Sequence, residues 1–260
     1  MHDAIPTETR AYLDELVGRL RGVLGADLVG VYLGGSLSLG GYAEARSDVD
    51  VAVVTGGVLS PGIKTTIVDS VRHESLPCPA RGLELVVYTA ETAGAATAGA
   101  GYELNLNTGR AMPFHVSYAP GDGEAEHWYA LDRAMLRDHG RALLGPPARE
   151  VFTAAPRWVL LGLLAESIRW HERAGVARDD DAVLNACRAL RYADEGRWSS
   201  KQEAGEWAGD RLADGALAAD ALALRRGSGE RLAAGRVRRF LESARRSLEE
   251  AAGTDAELHA

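Results

Sequence analysis

The chain has 260 residues, 46% of them hydrophobic, and a formal net charge of −8 at pH 7. This length suits one large or two modest domains, and the acidic balance argues against a nucleic-acid partner, which calls for a basic surface. Because the chain has only Cys78 and Cys187, no signal peptide and no apolar run that could span a membrane, we expect a cytoplasmic protein without a disulfide framework or a membrane partner.

The first predicted elements are a helix and two strands. Apolar residues recur at helical spacing from about Thr9 to Gly25, and Leu28–Leu33 is typical of a strand. From Tyr32 to Val54 the chain then reads YLGGSLSLGGYAEARSDVDVAVV, in which a Gly-Gly-Ser turn and a second strand follow the first. Alternation along a strand places Asp48 and Asp50 on one face.

This motif favours a site for a metal ion and a phosphate. Two neighbouring carboxylates repel each other unless a cation lies between them, and Mg²⁺ prefers such hard oxygen ligands. Gly34, Gly35 and Ser36 allow backbone N–H groups and a hydroxyl to approach a phosphate. Either feature alone is also consistent with an ordinary turn and a solvated strand end. Together, with twelve residues from Ser36 to Asp48, they resemble the signature of the DNA polymerase β-like nucleotidyltransferases.

A third carboxylate is expected on a neighbouring strand. Glu84 is the charged residue of the apolar run Leu83–Tyr88. A charge in such a strand is costly without a partner, so Glu84 faces either the metal site or an exposed sheet edge. The two aspartates favour the first alternative, in which Glu84 takes the proton from a substrate hydroxyl as a general base.

The rest of the chain separates into two parts. In the first, the sequence predicts a helix from about Ile63 to Ser75, a strand at Leu83–Thr89, a short helix or loop over the segment that leads to Tyr102–Asn107, a strand at His115–Tyr118 and a helix at Ala130–Leu144. Beyond Pro156, helical spacing recurs in five segments. We therefore predict an α/β catalytic domain with a mixed sheet over residues 1–155 and an all-α helical bundle over residues 156–260, which completes the cleft for ATP and substrate.

The whole chain resembles the aminoglycoside nucleotidyltransferases of the streptomycin/spectinomycin 3″(9)-O-adenylyltransferase family. Three segments carry the resemblance: GGS…SDVDV, LELVV and LNACRALRYADEGRWSSKQEAGEWA. It implies transfer of AMP from ATP to a hydroxyl of an aminoglycoside or aminocyclitol, with release of pyrophosphate and two Mg²⁺ ions as cofactors. The acidic composition suits such a polycationic partner. We expect a monomer.

The resemblance also implies roles for individual residues. Asp48, Asp50 and Glu84 would bind the metal, and Glu84 would be the catalytic base. The nucleotide-binding residues would be Gly35, Ser36, Ser47, Arg188 and Lys201, the last two reaching the phosphates from the helical domain. On the substrate side, Trp170 and Asp179 match an aromatic residue and an acid that face the drug.

Three positions depart from the family pattern. Gly175 stands where streptomycin-active members have an acid, Leu104 stands where an aromatic residue is expected, and a tyrosine expected to contact ATP falls near Gly227. The first two departures favour spectinomycin over streptomycin as the substrate. Glu172, Asp180 and Asp181 either compensate as partners of ammonium groups or belong to a solvated loop.

Two further functions stay open at this point. The chain could be a nucleotidyltransferase that acts on another metabolite or natural product. It could also be a regulatory protein that binds nucleotides without catalysis, although such a protein has no physical reason to keep three mutually repelling carboxylates.

Overall fold

The predicted fold, a mixed α/β part followed by a helical part, is confirmed. The computed structural model describes residues 5–43, 45–121, 125–174 and 179–259. It divides into two compact units, Met1–Ala154 and Ala155–Ala260. The functions predicted for these two parts stay predictions.

The first unit is built on one six-stranded mixed sheet. Its strands are β1 Leu28–Leu33, β2 Val49–Thr55, β3 Leu83–Thr89, β4 Tyr102–Gly109, β5 Met112–Ser117 and β6 Arg141–Leu144. The order across the sheet is β5-β4-β3-β2-β1-β6. Strands β2 and β3 pair in parallel, and the other neighbouring pairs are antiparallel.

Six helices of the first unit surround this sheet. They are α1 Thr7–Leu24, α2 Gly35–Ser38, α3 Pro61–Val71, α4 Ala90–Gly94, α5 His127–His139 and α6 Ala148–Val151. Helix α3 begins at Pro61 because proline fits the first helical turn and the Ser60 hydroxyl accepts a hydrogen bond from the Ile63 N–H.

Strand alternation gives the sheet two different apolar faces. Val51 and Val53 of β2 belong to the core that includes the apolar stripe of α1. Ala52 and Val54 belong to a second core that includes Leu136 of α5. Because side chains alternate along a strand, Asp50 lies on the same face as Ala52 and Val54.

Two sequence expectations for the first unit are wrong in detail, and a third is confirmed. The segment that leads to residues 102–107 contains the short helix α4, and residues 102–107 themselves belong to strand β4. The helix predicted over 130–144 ends at His139, and the remainder is the edge strand β6, whose pairing with β1 local periodicity cannot reveal. Helix α3 ends at Val71, four residues before the predicted end.

The second unit contains five helices within its described residues. They are α7 Arg157–Ala174, α8 Asp179–Glu195, α9 Lys201–Arg211, α10 Gly215–Arg225 and α11 Ala234–Leu258. Helix α11 packs against α7 and α8, while α8, α9 and α10 pack against one another. Arg169 of α7 pairs with Glu249 of α11 at 2.7 Å, and Arg245 of α11 pairs with Glu172 at 3.1 Å.

None of the described helices combines the length and the apolar character that crossing a membrane requires.

Candidate active site

The Gly-Gly-Ser turn packs directly against an acidic side chain of β2. The Gly34 N–H donates a hydrogen bond of 2.9 Å to the Asp50 carbonyl oxygen. Gly35 has a φ of 53°, and a Cβ added to it would lie 1.8 Å from Asp50 Oδ2. Only glycine therefore allows the turn and the carboxylate to lie this close. The buried Ser36 hydroxyl has no hydrogen-bond partner among the described residues, which leaves it available for a ligand.

Asp50 and Glu84 lie side by side on the two parallel strands. They are register partners in the pairing of β2 with β3. Asp48 lies just before β2, close enough to Glu84 for its charge and a side-chain hydrogen bond to raise the pKa of Glu84. The structure therefore brings together the three carboxylates that the sequence predicts at one site.

An arginine that sequence reasoning missed holds the first of these acids. Arg81 Nε donates to Asp48 Oδ1 at 2.6 Å, and Arg81 Nη2 donates to Asp48 Oδ2 at 2.9 Å. This two-pronged geometry is the strong form of an ion pair. A lone arginine three residues before the predicted base was the available signal, since three carboxylates need a nearby positive charge.

The acidic surroundings change the protonation of the predicted base. Burial, and next the negative charges of Asp50 and Asp48, raise the pKa of Glu84 from 4.5 to about 8, against the opposing effect of Arg81. A base with this pKa takes up a proton near neutral pH, as a general base requires.

The donor set fits a divalent cation in its chemistry. Carboxylate oxygens are the ligands that Mg²⁺ prefers, and a cation would relieve the repulsion that raises the pKa of Glu84. Asp50 and Glu84 are the best placed, whereas Asp48 directs both oxygens to Arg81. In the described part of the chain, no three His, Cys, Asp or Glu side chains are arranged as a metal site. The Mg²⁺ ions stay a prediction.

Ser47, predicted to contact the triphosphate, stabilises the loop before β2. It is buried, and its hydroxyl accepts a hydrogen bond of 3.0 Å from the Ala43 N–H. Its own carbonyl oxygen accepts from the Arg81 N–H. Ser47 therefore links the loop to the residue that holds Asp48.

A small pocket opens beside Asp50 and Glu84. Its described lining also includes two residues that sequence reasoning missed, Tyr88 of β3 and Asp132 of α5. The available signal for Asp132 was its spacing: it precedes the apolar Met135 and Leu136 by three and four residues, which places all three on one side of the helix.

In the second unit, the two predicted phosphate ligands lie among other polar groups. Lys201, the first residue of α9, pairs with Asp181 at 2.8 Å, and Arg225 pairs with the same carboxylate oxygen at 2.8 Å. Arg188 Nε donates to the Ser199 carbonyl oxygen at 2.9 Å. Burial lowers the pKa of Lys201, and Asp181 opposes this effect.

The two predicted drug-binding residues occupy different surroundings. Trp170 is 44% exposed, and its ring meets His171 edge to face at 5.0 Å. Asp179 is buried at the start of α8 and, with His171 and Glu172, lines a pocket of the second unit. Trp170 is not part of the described lining of this pocket. Burial raises the pKa of Asp179.

The positions of the departures from the family pattern are now partly visible. Leu104 is fully buried in the core of the first unit, on β4. Gly227 follows α10 with a φ of 78°. Gly175 lies outside the described residues. The alternative of a solvated loop is wrong for Asp180 and Asp181, because both are buried in the first turn of α8.

Comparisons with known proteins agree with the family resemblance. Residues 150–250 match the family described as aminoglycoside adenylyltransferase, C-terminal domain. Two relatives named aminoglycoside (3'') (9) adenylyltransferase, from Shigella flexneri and Escherichia coli, are each 26% identical over 219 residues, which is 82% of this chain and 82% of theirs.

A solved structure has a similar fold. It is the spectinomycin adenyltransferase AAD(9) from Enterococcus faecialis with ATP and spectinomycin, matched with a TM-score of 0.67 and 16% sequence identity. The match covers 93% of this chain and 99% of that one. The predicted resemblance is confirmed.

Proposed function

We propose, with membership of the aminoglycoside adenylyltransferase family as the premise, that this chain transfers AMP from ATP to a hydroxyl of an aminoglycoside or aminocyclitol antibiotic. The observation that carries the proposal is the in-register pair of Asp50 and Glu84 beside a turn that only glycine can form. A turn for phosphates and a base with a raised pKa are the two parts that adenylyl transfer needs in one place.

The reaction is an in-line displacement at the α-phosphorus of ATP. The acceptor hydroxyl oxygen forms a bond to this phosphorus while the bond to the bridging oxygen of the β-phosphate breaks, and pyrophosphate leaves. Glu84 accepts the hydroxyl proton in its ionised form, which the Arg81 charge favours and a bound cation would favour further. The products are the adenylylated acceptor and pyrophosphate.

The proposed nucleotide ligands are the Gly-Gly-Ser turn and two basic residues. Ser36 offers a buried hydroxyl that makes no hydrogen bond within the described structure, and Gly35 allows close backbone approach. Lys201 and Arg188 of the second unit are the further phosphate ligands that the family resemblance implies, and their positive charge suits a triphosphate.

Mg²⁺ belongs to the same proposal. Asp50 and Glu84 would hold the ion, joined by Asp48 on its release from Arg81. When bound, it would neutralise the charge that develops on the phosphate oxygens.

We further propose spectinomycin rather than streptomycin as the preferred acceptor. Two residues that the family pattern associates with streptomycin are replaced by Gly175 and Leu104. Because Leu104 is buried in the sheet core, the proposal depends on the replacement at Gly175.

Pyrophosphate release from Mg-ATP by the purified protein tests the function, with spectinomycin, streptomycin and other aminoglycosides as acceptors. We expect release with spectinomycin to exceed release with streptomycin. Release with streptomycin alone would reverse the preference and keep the reaction. No release across the panel, while ATP still binds, would overturn the antibiotic as acceptor and favour another hydroxyl substrate.

A further inference from the structure

The pocket beside the catalytic carboxylates extends past them along β3. Glu84 and Tyr88 are four residues apart on this strand, so both lie on the face that α5 covers, with their Cα atoms about 13 Å apart. Asp132 of α5 completes the far part of the lining. The cavity of ≈ 60 Å³ is large enough for a methylammonium group or for about two water molecules.

Tyr88 provides an independent sign that something binds there. Its side chain is 0% exposed, and its hydroxyl makes no hydrogen bond to any described residue. A buried hydroxyl without a partner is costly unless a ligand or water satisfies it. Burial raises the pKa of Tyr88 against the opposing effect of the nearby Arg133, so the hydroxyl keeps its proton and its oxygen can accept a hydrogen bond.

The charge of the pocket decides which ligand fits. Its described lining contains three carboxylates, those of Asp50, Glu84 and Asp132, and no Lys, Arg or His. The nearby Arg133 guanidinium lies over the Tyr88 ring at 5.4 Å, but its N–H groups donate to the carbonyl oxygens of residues 97, 99 and 100. With Asp50 and Glu84 assigned to the metal ion, Asp132 is the carboxylate of the described lining that attracts a cation with N–H donors.

We propose that Asp132 and Tyr88 form a subsite for an ammonium group of the acceptor and thereby determine substrate specificity. The inference rests on the proposed function and deepens it. The ammonium group donates hydrogen bonds to the Asp132 carboxylate and the Tyr88 hydroxyl oxygen, while a hydroxyl of the same molecule lies at Glu84. An acceptor thus needs an ammonium group and a hydroxyl whose separation matches the distance between this subsite and Glu84.

The test compares Asp132→Asn and Tyr88→Phe with the wild type in pyrophosphate release. The acceptors are spectinomycin and its N-acetylated derivative, which lacks the positive charge. Because the subsite binds ground state and transition state alike, we expect Asp132→Asn to raise KM for spectinomycin about 10- to 100-fold with kcat and KM for ATP unchanged. Tyr88→Phe raises this KM less.

The uncharged acceptor separates this role from a structural one. The wild type should prefer spectinomycin over the acetylated form, and Asp132→Asn should lose most of this preference, which Asp132→Glu partly restores. Asp138→Asn is the matched control, because its carboxylate lies on the same helix and pairs with Arg137 at the surface. An Asp132→Asn enzyme with wild-type KM and preference would overturn the subsite.

A binding measurement keeps the outcomes apart if the wild type releases no pyrophosphate. Calorimetry with a non-hydrolysable ATP analogue and spectinomycin then reports on the subsite directly. Binding to the wild type that Asp132→Asn weakens supports the subsite although the proposed reaction has failed. Equal binding to both proteins, or none to the wild type, overturns it.

Discussion

At the scale of single residues, the surroundings of Glu84, the proposed base, make stability depend on pH. Burial and two neighbouring carboxylates favour its protonated form, which raises its pKa to about 8. The folded protein then binds a proton that the unfolded chain releases at its ordinary pKa of 4.5. Without a metal ion, this contribution to stability is complete below about pH 4.5 and is lost as the pH rises towards about 8.

Replacement of Glu84 by Gln tests both the proposed base and this dependence on pH. We expect turnover to fall by about 10²- to 10⁴-fold, the usual contribution of a general base, with binding of Mg-ATP nearly unchanged. In EDTA, the free energy of unfolding of the wild type should fall relative to that of the variant by on the order of 2 kcal/mol between about pH 5 and about pH 8. Urea unfolding across this range measures the difference. Parallel pH profiles would show that the pKa of Glu84 is not raised, and wild-type turnover would remove Glu84 from the mechanism.

Gly35 offers a second prediction at this scale. An alanine Cβ there would overlap the Asp50 carboxylate, and φ is in the left-handed region. We expect Gly35→Ala to lose detectable turnover and at least about 1 to 2 kcal/mol of stability. Gly40→Ala is the matched control, since Gly40 has a φ of 70° and nothing within 4 Å of an added Cβ. It should lose about 1 kcal/mol but keep its turnover, and equal inactivation of both variants would refute a role for the contact with Asp50.

At the scale of elements, one carboxylate joins three helices of the second unit. Asp181 of α8 accepts hydrogen bonds from Lys201 of α9 and Arg225 of α10 through the same oxygen atom. The side chain of Asp181 is 8% exposed, so the interaction is poorly screened by solvent. Asp181 therefore contributes both to the packing of α8, α9 and α10 and to the position of the proposed phosphate ligand Lys201.

Asp181→Asn should disturb both properties. We expect a loss of about 3 kcal/mol of stability, because two cations lose their carboxylate in a poorly solvated place. The pKa of Lys201, already lowered by burial, should fall further. The rise of KM for ATP with increasing pH should therefore begin at a lower pH in the variant than in the wild type. Chemical denaturation and a pH series of KM measure these effects.

The control for Asp181 is an ion pair in the same unit that lies in solvent. Asp220 pairs with Arg236 at 3.1 Å, and the Asp220 side chain is 56% exposed. Asp220→Asn should change stability by less than about 1 kcal/mol and leave KM for ATP unchanged. If the two variants behaved alike, Asp181 would have no special role.

At the scale of the whole molecule, the net charge of −8 acts on the two substrates in opposite directions. A field of this sign attracts a polycationic acceptor and repels ATP, so the basic residues that bind phosphates must act locally. Raising salt from about 10 mM to about 150 mM shortens the Debye length from about 30 Å to about 8 Å. We expect KM for a cationic acceptor to rise over this range and that for its N-acetylated form to change less. A KM independent of salt would show that only short-range contacts bind the acceptor.

The sequence by itself determined the division into an α/β and a helical part and the choice of the three carboxylates that the structure brings together. Alternation along β2 and β3 explains why: it assigns each side chain to a face without any knowledge of the neighbouring strands. The same alternation in YELNLN would have identified β4. Residue types that are costly in apolar strands, such as Glu84, also reveal themselves locally.

Only the tertiary structure decided which distant groups meet. Arg81 beside Asp48, Asp132 beside Tyr88 and Asp181 between two cations each join different elements or a loop and a strand, and no periodicity encodes such pairs. Strand β6 is a further example, because its backbone pairing with β1 defines it and no pattern in its own residues does. Short-range patterns specify the face of an element on which a side chain lies. The charged partners that a side chain meets depend on the tertiary fold, which brings residues distant in sequence together.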